Sequence, residues 1–520
     1  MARINTNIPS VLAQRNLRSI QSELQTRFER LSTGLRINRG ADDPAGLIIS
    51  ERLRSNISGV NQGISNSDRA ANVIATTEAS LSEVSDLLNS IKSLIVESAN
   101  TGANSDAERT ANQLQIDSAI ASITRISDTA SFGSLKLLNG SLDYNLSGIN
   151  PNDVVQAKVW NASFINQSTY NVKVNVVASA QTGALYFQPP SAAGTILSST
   201  TLQIAGVRGV QTITVTSNSS LTSVVDAVNN LTSLTGIRAS LINNDPTSGM
   251  VFSSVDYGSN AFVSVKRLQG PALAADAFSN NLYKVVNNLP APSGSPFGWS
   301  TLISNGTVSV AQRDEGQNVQ ALVNGALATG DGLKIKVNSP NLSMDMQLSA
   351  LFATTITGTP SNFDITGGGS LFQLGPDVSA SQQASFATQS VAASNLGGVL
   401  VGSTMQFLSS LVTGGTNSID ASLKSKDFTT ASNILERAID EVSILRGRLG
   451  AFQRNVLEPN TRSLNSALEN LTASSSAIRD ADFAAETSAL TRAQILSQSG
   501  TTVLQLANAS SQSVLQLLQG

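Results

Sequence analysis

The 520-residue chain contains no cysteine and no histidine. That inventory excludes disulfides, thiolate nucleophiles, Cys/His zinc sites and Ser-His-Asp triads, and without histidine the HExxH motif of a metalloprotease cannot exist. Charge and aromatic rings are also scarce, at 13% and 4% of residues, where an enzyme needs a densely packed, aromatic-rich pocket. There is no run of eighteen apolar residues and no secretory apolar core, so neither a membrane span nor export behind a cleaved signal is expected. A net charge of -3 and a pI near 5.3 exclude a global pull toward nucleic acid or an acidic membrane surface. Residues 1–40 differ locally, with seven arginines against Glu23 and Glu29, a net of +5. An organellar transit peptide would end in a cleavage-like boundary, and here the apolar pattern simply continues. No enzyme activity, cofactor or metal is expected.

The composition is filled instead by Ala, Ser, Asn, Thr, Gln and Gly, which suits long helices meeting through small side chains. Ile20, Leu24, Phe28, Leu31 and Leu35 recur in steps of three and four, a helical period. The period halts at Arg39-Gly40-Ala41-Asp42, after which Asp43 caps a new helix with Pro44 at its first position, where the missing N–H costs nothing. Leu53, Ile57, Val60 and Ile64 continue it, and Val84, Leu88, Ile91 and Ile95 repeat it up to the break after Ala99. At 1.5 Å per residue, residues 44–99 would make a rod of about 80 Å. A third helix is expected over about Asp106 to Thr129. Near the other end Leu435, Ala438, Val442, Leu445, Leu449, Phe452 and Val456 alternate in threes and fours, the seam of a coiled coil. Pro459 should interrupt that seam, which resumes with Leu464, Leu468, Leu471 and Ile478. The last forty residues keep the period in Leu496, Val503, Leu506 and Leu517.

Between the helical ends the period drops to two at residues 169–177, 201–204, 212–215, 262–265 and 333–337, separated by turn residues, as in short antiparallel strands. Residues 219–231 read as the one helix there. The fold expected is α+β and multidomain: a long antiparallel coiled-coil or helical-bundle rod built from both termini, with a β-rich outer domain inserted between them. Each terminal stripe needs the other as cover, so the two ends should lie together.

The glycine-rich stretch RLSTGLRINRGADDPAGLIIS, residues 30–50, contains no GxxxxGK[ST], and its Gly34, Gly40 and Gly46 match no dinucleotide fingerprint. Asp42 and Asp43 could ligate a cation, but capping accounts for them without one. Asp480 and Asp482 fall on different helix faces and are poor acid/base partners. The N-terminal arginines lack interleaved aromatics beyond Phe28, which points to a solvated or intersubunit face rather than nucleic acid.

Several of these stretches closely resemble bacterial flagellin. At the start they are INTN, ERLSTGLRIN, ADDPAGL and SNISGVNQGISNSDRAANVIATTEASLSEV; at the end RLGAFQ, ENLTASSSAIRDADFAAETSALTRAQILSQSGTTVLQLAN and SVLQLL. Residues 219–265 resemble a repeat module of flagellins and hook-associated proteins, and residues 367–390 the hairpin beside the family's rod. The resemblance implies a subunit exported unfolded through the flagellar type III apparatus with an export chaperone, assembled beneath the filament cap next to hook-associated proteins, and polymerised with itself into an extracellular filament used for motility. It implies an inner coiled coil from residues 1–43 and 480–520, a helical rod from 44–141 and 369–479, and an outer domain at 142–368. Polymerisation falls to Ile4, Ile8, Leu12, Ile20, Leu24, Leu31, Leu35, Leu496, Val503, Leu506, Leu517 and Leu518. Gly40, Asp43, Pro44 and Gly46 form the joint between coiled coil and rod, with Gly34 among the glycines that permit a backbone change there. A hook-filament junction protein and a secreted adhesin on a coiled-coil stalk are the rival readings; TRAQILSQSG agrees fully with the filament protein's tail motif.

Family members can be detected by an innate immune receptor through a patch that maps onto Asn89, Ser90, Lys92, Ser93 and Leu94. Relatives that are detected strongly carry Arg in place of Ser90 and Glu in place of Ser93. Each lost charge-assisted contact is worth about 1.5–3 kcal/mol. Purified monomer should therefore activate such a receptor weakly in a reporter-cell assay, and a potent response would overturn this reading.

Overall fold

The computed structural model describes residues 6–518 other than 165–166, 192, 270–280, 287–291, 293, 295–296, 340, 357 and 402–403. Three helices open the chain: Ile8–Thr33 (α1), Pro44–Ala99 (α2) and Asp106–Thr129 (α3). Their ends follow local chemistry. Asn7 caps α1 by accepting from Ser10 N, and Gly34 closes it at φ +72°, a left-handed conformation that suits a residue without Cβ. The Asp43 carboxylate accepts from Gly46 N at 2.9 Å to start α2. Ser105 and Glu108 form a reciprocal capping box on α3.

The chain divides into two compact units, one from Met1–Ile74, Phe372–Ala384 and Gly450–Gly520, the other from Ala75–Leu371 and Ser385–Leu449. In the larger unit the β-rich region forms two lobes, one nested in the other. Short helices Leu221–Asn229 (α4), Thr232–Thr235 (α5), Trp299–Ser304 (α6) and Ala350–Thr354 (α7) punctuate it. One lobe pairs a five-stranded sheet, in the order Ala326–Leu327, Gln320–Val323, Tyr170–Ala178, Ser361–Gly368, Tyr144–Ser147, with a four-stranded one, in the order Thr329–Asp331, Lys334–Asn338, Leu342–Leu348, Val154–Ala162. Val172, Val174, Ile335, Met344, Phe363 and Ile365 fill its core. The other lobe lies in sequence between Tyr170–Ala178 and Gln320–Val323, with its own core around Leu185, Phe187, Leu202, Phe252 and Val263 beneath α4. Burial alternates along these strands, as at Leu342–Leu348 and Thr200–Gly206, which is why a period of two marks them in the sequence. Each of the five expected strand segments falls on a strand, and residues 219–231 contain α4. The short helices α5 to α7 leave no period to read.

After Ile419–Ser425 (α8) comes the helix Thr429–Phe452 (α9), which buries Leu435, Ala438, Val442, Leu445 and Leu449. Ion pairs Lys92–Glu436 at 3.4 Å and Arg446–Glu78 at 3.9 Å set α9 antiparallel to the later part of α2, where Leu81, Val84, Leu88 and Ile91 are wholly buried.

Pro459 does not end the helix. A π-helical turn, Gln453–Leu457, joins α9 to Glu458–Arg479 (α10). Proline has no N–H to give the carbonyl one turn back, and a wider turn immediately upstream accommodates the lost bond. The turn inserts one residue into the heptad: seven positions after Leu449 stands Val456, half-buried, while Leu457 beside it is 2% exposed. From Leu457 the seam runs through Leu464, Leu471 and Ile478 in steps of seven. The expected seam thus continues, one residue out of register.

In the smaller unit the hairpin of Ser370–Gln373 and Gln383–Phe386 lies against α2 and α10. Asn66 donates to Gln373 O at 3.1 Å and Asn460 to Leu374 O at 2.9 Å. A Cβ on Gly63 would stand 3.0 Å from Leu374 O, so glycine there lets the hairpin approach.

Leu88→Ala should cost about 2–5 kcal/mol through the cavity it leaves, whereas Val96→Ala, at a side chain 63% exposed, should stay within about 0.5 kcal/mol. Denaturant unfolding followed by far-UV circular dichroism distinguishes the two.

Candidate functional site: the paired terminal helices

The last helix, Phe483–Leu518 (α11), is started by Asp482, whose carboxylate accepts from Ala484 N and Ala485 N. It packs antiparallel along α1. On α1 the inward positions are Ser10, Ala13, Leu17, Ile20, Leu24, Arg27 and Leu31; on α11 they are Glu486, Leu490, Ala493, Ser497, Gly500, Leu504 and Ala507, every one buried or half-buried. Both sets alternate in threes and fours, the period that keeps a seam facing its partner. Much of the α11 seam is small. A Cβ on Gly500 would meet Leu17 Cδ1 at 3.2 Å, so this position admits the Leu17 and Ile20 side chains. Polar contacts fix the outer end of the pair, where Asn7 donates to Ala507 O at 3.0 Å and Ser10 Oγ to Asn508 Oδ1 at 2.8 Å.

At the inner end one carboxylate holds two guanidiniums. Glu486 receives Arg27 Nη1 at 2.9 Å and Arg30 Nη1 at 3.2 Å, with its side chain 9% exposed. Burial works against its charge, but the hydrogen bonds from Arg27 and Arg30 outweigh this and hold its carboxyl below the ordinary glutamate range. The hydrogen bond to Glu486 in turn raises the Arg27 pKa.

Beyond this lies the joint. Leu35 and Asp480 form an isolated antiparallel bridge, with Arg36 N bonded to Arg479 O at 2.7 Å and Ala481 N to Gly34 O at 2.9 Å. Asp42 accepts from Arg39 N and Asn38 N, which lowers its pKa. Ile37 is buried, and a Cβ on Gly46 would stand 2.4 Å from Asp43 Oδ2 and 2.7 Å from Ile37 Cδ1. Gly34 is therefore kept for its φ and Gly46 for a close approach. Gly40 has neither constraint: its Cβ would meet only Leu47 Cδ2 at 3.6 Å. Asp42 and Asp43 are occupied as turn and cap, and among the described residues no group of three or more Asp or Glu could hold a metal.

The terminal residues singled out by sequence divide in two. Ile20, Leu24 and Leu31 lie on the seam within the chain, and Leu35 is half-buried in the joint. Ile8, Leu12, Leu496, Val503 and Leu506 face away, between 44% and 71% exposed, together with Val11, Phe483 and Ile495, which sequence reasoning did not include, and with Phe28, which the helical period had placed on the covered stripe. Ile4 and the side chains of Leu517 and Leu518 lie outside the described residues. Sequence reasoning also missed Glu486 and the small positions Ala493, Ser497 and Gly500. Their signal was a three-four spacing without hydrophobic residues.

Elsewhere, Leu435, Val442, Leu445 and Leu449 are buried along α9, while Phe452 is half-buried with its ring 6.2 Å from that of Phe372. Asn89, Ser90, Lys92 and Ser93 are exposed on α2, but Leu94 is only 8% exposed and belongs to the core. No described helix is long and apolar enough to cross a membrane.

Residues 4–143 match the family described as bacterial flagellin N-terminal helical region, residues 432–518 its C-terminal helical region, and residues 201–256 the flagellin hook IN motif. The B-type flagellin of Pseudomonas aeruginosa is 29% identical, with 99% of each chain aligned. The flagellin of Escherichia coli is also 29% identical over 99% of each. Among solved structures, Xanthomonas campestris FlgL aligns over 82% of this chain and 99% of its own at 11% identity; its TM-score of 0.27 carries no structural inference.

Glu486→Gln should weaken the pairing of α1 with α11 by roughly 2 kcal/mol at pH 7 by leaving two arginines without their anion. Because the folded carboxyl titrates below its unfolded value, its contribution is present above about pH 4.3 and disappears as pH falls through the lower folded pKa. Helicity measured against pH should show an acid loss in the native chain that Glu486→Gln reduces.

Proposed function

The chain belongs to the bacterial flagellin family as a structural subunit of the flagellar filament, and we propose that it enters that filament through the outward faces of α1 and α11. The observation that carries this reading is the apolar stripe left bare after the two helices have paired. Ile8, Leu12, Leu496, Val503 and Leu506, with Val11 and Ile495, remain exposed where a lone two-helix pair has nothing further to cover them. Other copies of this chain supply the same faces, and burying such stripes at polymerisation offsets the entropy of ordering the termini.

Residues 1–43 with 480–520 would then form the inner coiled coil, 44–141 with 369–479 the helical rod, and 142–368 the outward domain. Export in the unfolded state through the flagellar apparatus, with a chaperone shielding the apolar tail, assembly beneath the cap and a final place outside the cell complete the proposal. The low charge of α11, whose described side chains include only Glu486 and Arg492 as ionised groups, supports chaperone shielding. At the receptor patch, Lys92 pairs with Glu436 and Leu94 is buried, which favours weak recognition. No observation favours the junction-protein or adhesin readings.

Seeded polymerisation tests the reading. Full-length protein should form long tubes by sedimentation and negative-stain microscopy. Deletion of residues 1–40 or 481–520 should leave it monomeric, and Val503→Asp with Leu506→Asp should do the same at unchanged monomer helicity. Tubes formed as readily by the double variant would remove the outward face from the assembly.

A further inference from the structure

A cavity of about 230 Å³ lies between α9 and the outer face of the four-stranded sheet, within the larger unit. The strands Lys334–Asn338, Leu342–Leu348 and Val154–Ala162 send alternate side chains into the β core, so Ile335 and Met346 are buried inward. Their neighbours on the other face stand in one cross-strand row, Lys336 opposite Asp345 and Asp345 opposite Lys158. Two ion pairs tie this face to α9. Lys158 meets Glu441 at 2.7 Å, and Arg448 stacks on the Trp160 ring at 4.2 Å while lying 3.8 Å from Asp345. The remaining Glu441 oxygen accepts from Gly397 N at 3.0 Å. Those charges are committed.

The lining as a whole carries Lys158, Lys334, Lys336 and Arg437 against Asp331, Asp345, Asp440 and Glu441, and with Asp345 drawn to Arg448 from outside it one cation is left in excess. Arg437 is half-buried on α9, and neither its guanidinium nor the ammonium groups of Lys334 and Lys336 has a hydrogen-bond or ion-pair partner among the described residues. Against these three cations stand Asp440, exposed on α9, and Asp331, whose side-chain bond is a long one of 3.5 Å from Asn260. Burial lowers the Arg437 pKa, with Glu441 and Asp440 offsetting part of the loss. Half-buried, the guanidinium has Glu441 and Asp440 as electrostatic neighbours but no direct contact with either, which leaves its hydrogen-bonding fork open to an anion. Trp160, 6% exposed, adds an indole N–H that also meets no acceptor. The space would hold several waters at about 30 Å³ each, room enough for a compact solute.

We propose that this cavity binds a small oxyanion, a phosphate or a carboxylate, with the planar fork of Arg437 as the principal contact and Lys334 and Lys336 as flanking charges. Guanidinium pairs with both anions through two parallel hydrogen bonds. The site is separate from the terminal helices, so its failure would leave the filament reading untouched.

The test is isothermal titration of the full chain with inorganic phosphate and, separately, with glucuronate, at constant ionic strength so that general screening stays fixed. Saturable binding in the millimolar range is expected, at least tenfold weaker in Arg437→Gln, weaker in Lys334→Gln, and unchanged in Arg125→Gln on α3. Circular dichroism verifies that each variant is folded. Binding of phosphate alone identifies a free inorganic anion as the occupant, and binding of glucuronate alone identifies a carboxylate-bearing sugar. Absence of saturable heat with both, or equal affinity in folded Arg437→Gln and Lys334→Gln, overturns the proposal.

Discussion

The antiparallel pairing of the two chain ends is the constraint on which the subunit depends. Ser10 meets Asn508 and Arg27 meets Glu486, contacts between residues at opposite ends of the sequence. Closing so long a loop costs entropy that grows only slowly with loop length, so the intervening chain can be elaborated without much penalty at the seam. The seam itself must recover that cost from narrow means: half-buried Leu17, Ile20, Leu24 and Leu31 against small residues, and one buried carboxylate shared by two arginines.

Small residues on α11 have two consequences. Ala493, Ser497 and Gly500 let α1 approach closely, which gains dispersion contacts, but they bury little apolar surface of their own. Leu490 and Leu504 are the larger apolar side chains on the seam, while Leu496, Val503 and Leu506 are left on the other face. A pair built in this way is modestly stable alone and has its main apolar capacity unspent, the property a polymerising end requires.

The β-rich region follows a separate logic. Each lobe closes two antiparallel sheets over its own core, and one lobe is inserted between two strands of the other without breaking it. Such nesting is tolerated because Tyr170–Ala178 and Gln320–Val323 remain neighbours in one sheet, keeping the ends of the insertion close. The charges between α9 and the adjoining sheet are of another kind: Lys158–Glu441 and Arg448–Asp345 are side-chain pairs between elements remote in sequence, and they leave Arg437 without a hydrogen-bond or ion-pair partner among the described residues.

The sequence by itself determined the element types, because a helix with one covered face repeats its apolar residues every three or four positions and a half-buried strand every two. It also determined the cap at Asp43 and the absence of thiol and imidazole chemistry, but not the break between α10 and α11, where Asp480 and Asp482, expected on two faces of one helix, instead end one helix and cap the next. Only the tertiary structure decided which apolar face of each terminal helix is covered within the chain: Ile20 and Leu12 are equally apolar in sequence, yet Ile20 faces Gly500 across the seam while Leu12 is left 50% exposed. It alone showed how the seam passes from Val456 to Leu464, through the wider turn Gln453–Leu457 that buries Leu457, since a proline in sequence predicts a lost hydrogen bond but not the turn that absorbs it. It alone brought Arg27, Arg30 and Glu486 together, and Lys334, Lys336 and Arg437. Periodicity reports the environment of one segment averaged over its length; pairing of charges depends on the position of a second segment, which no local pattern encodes.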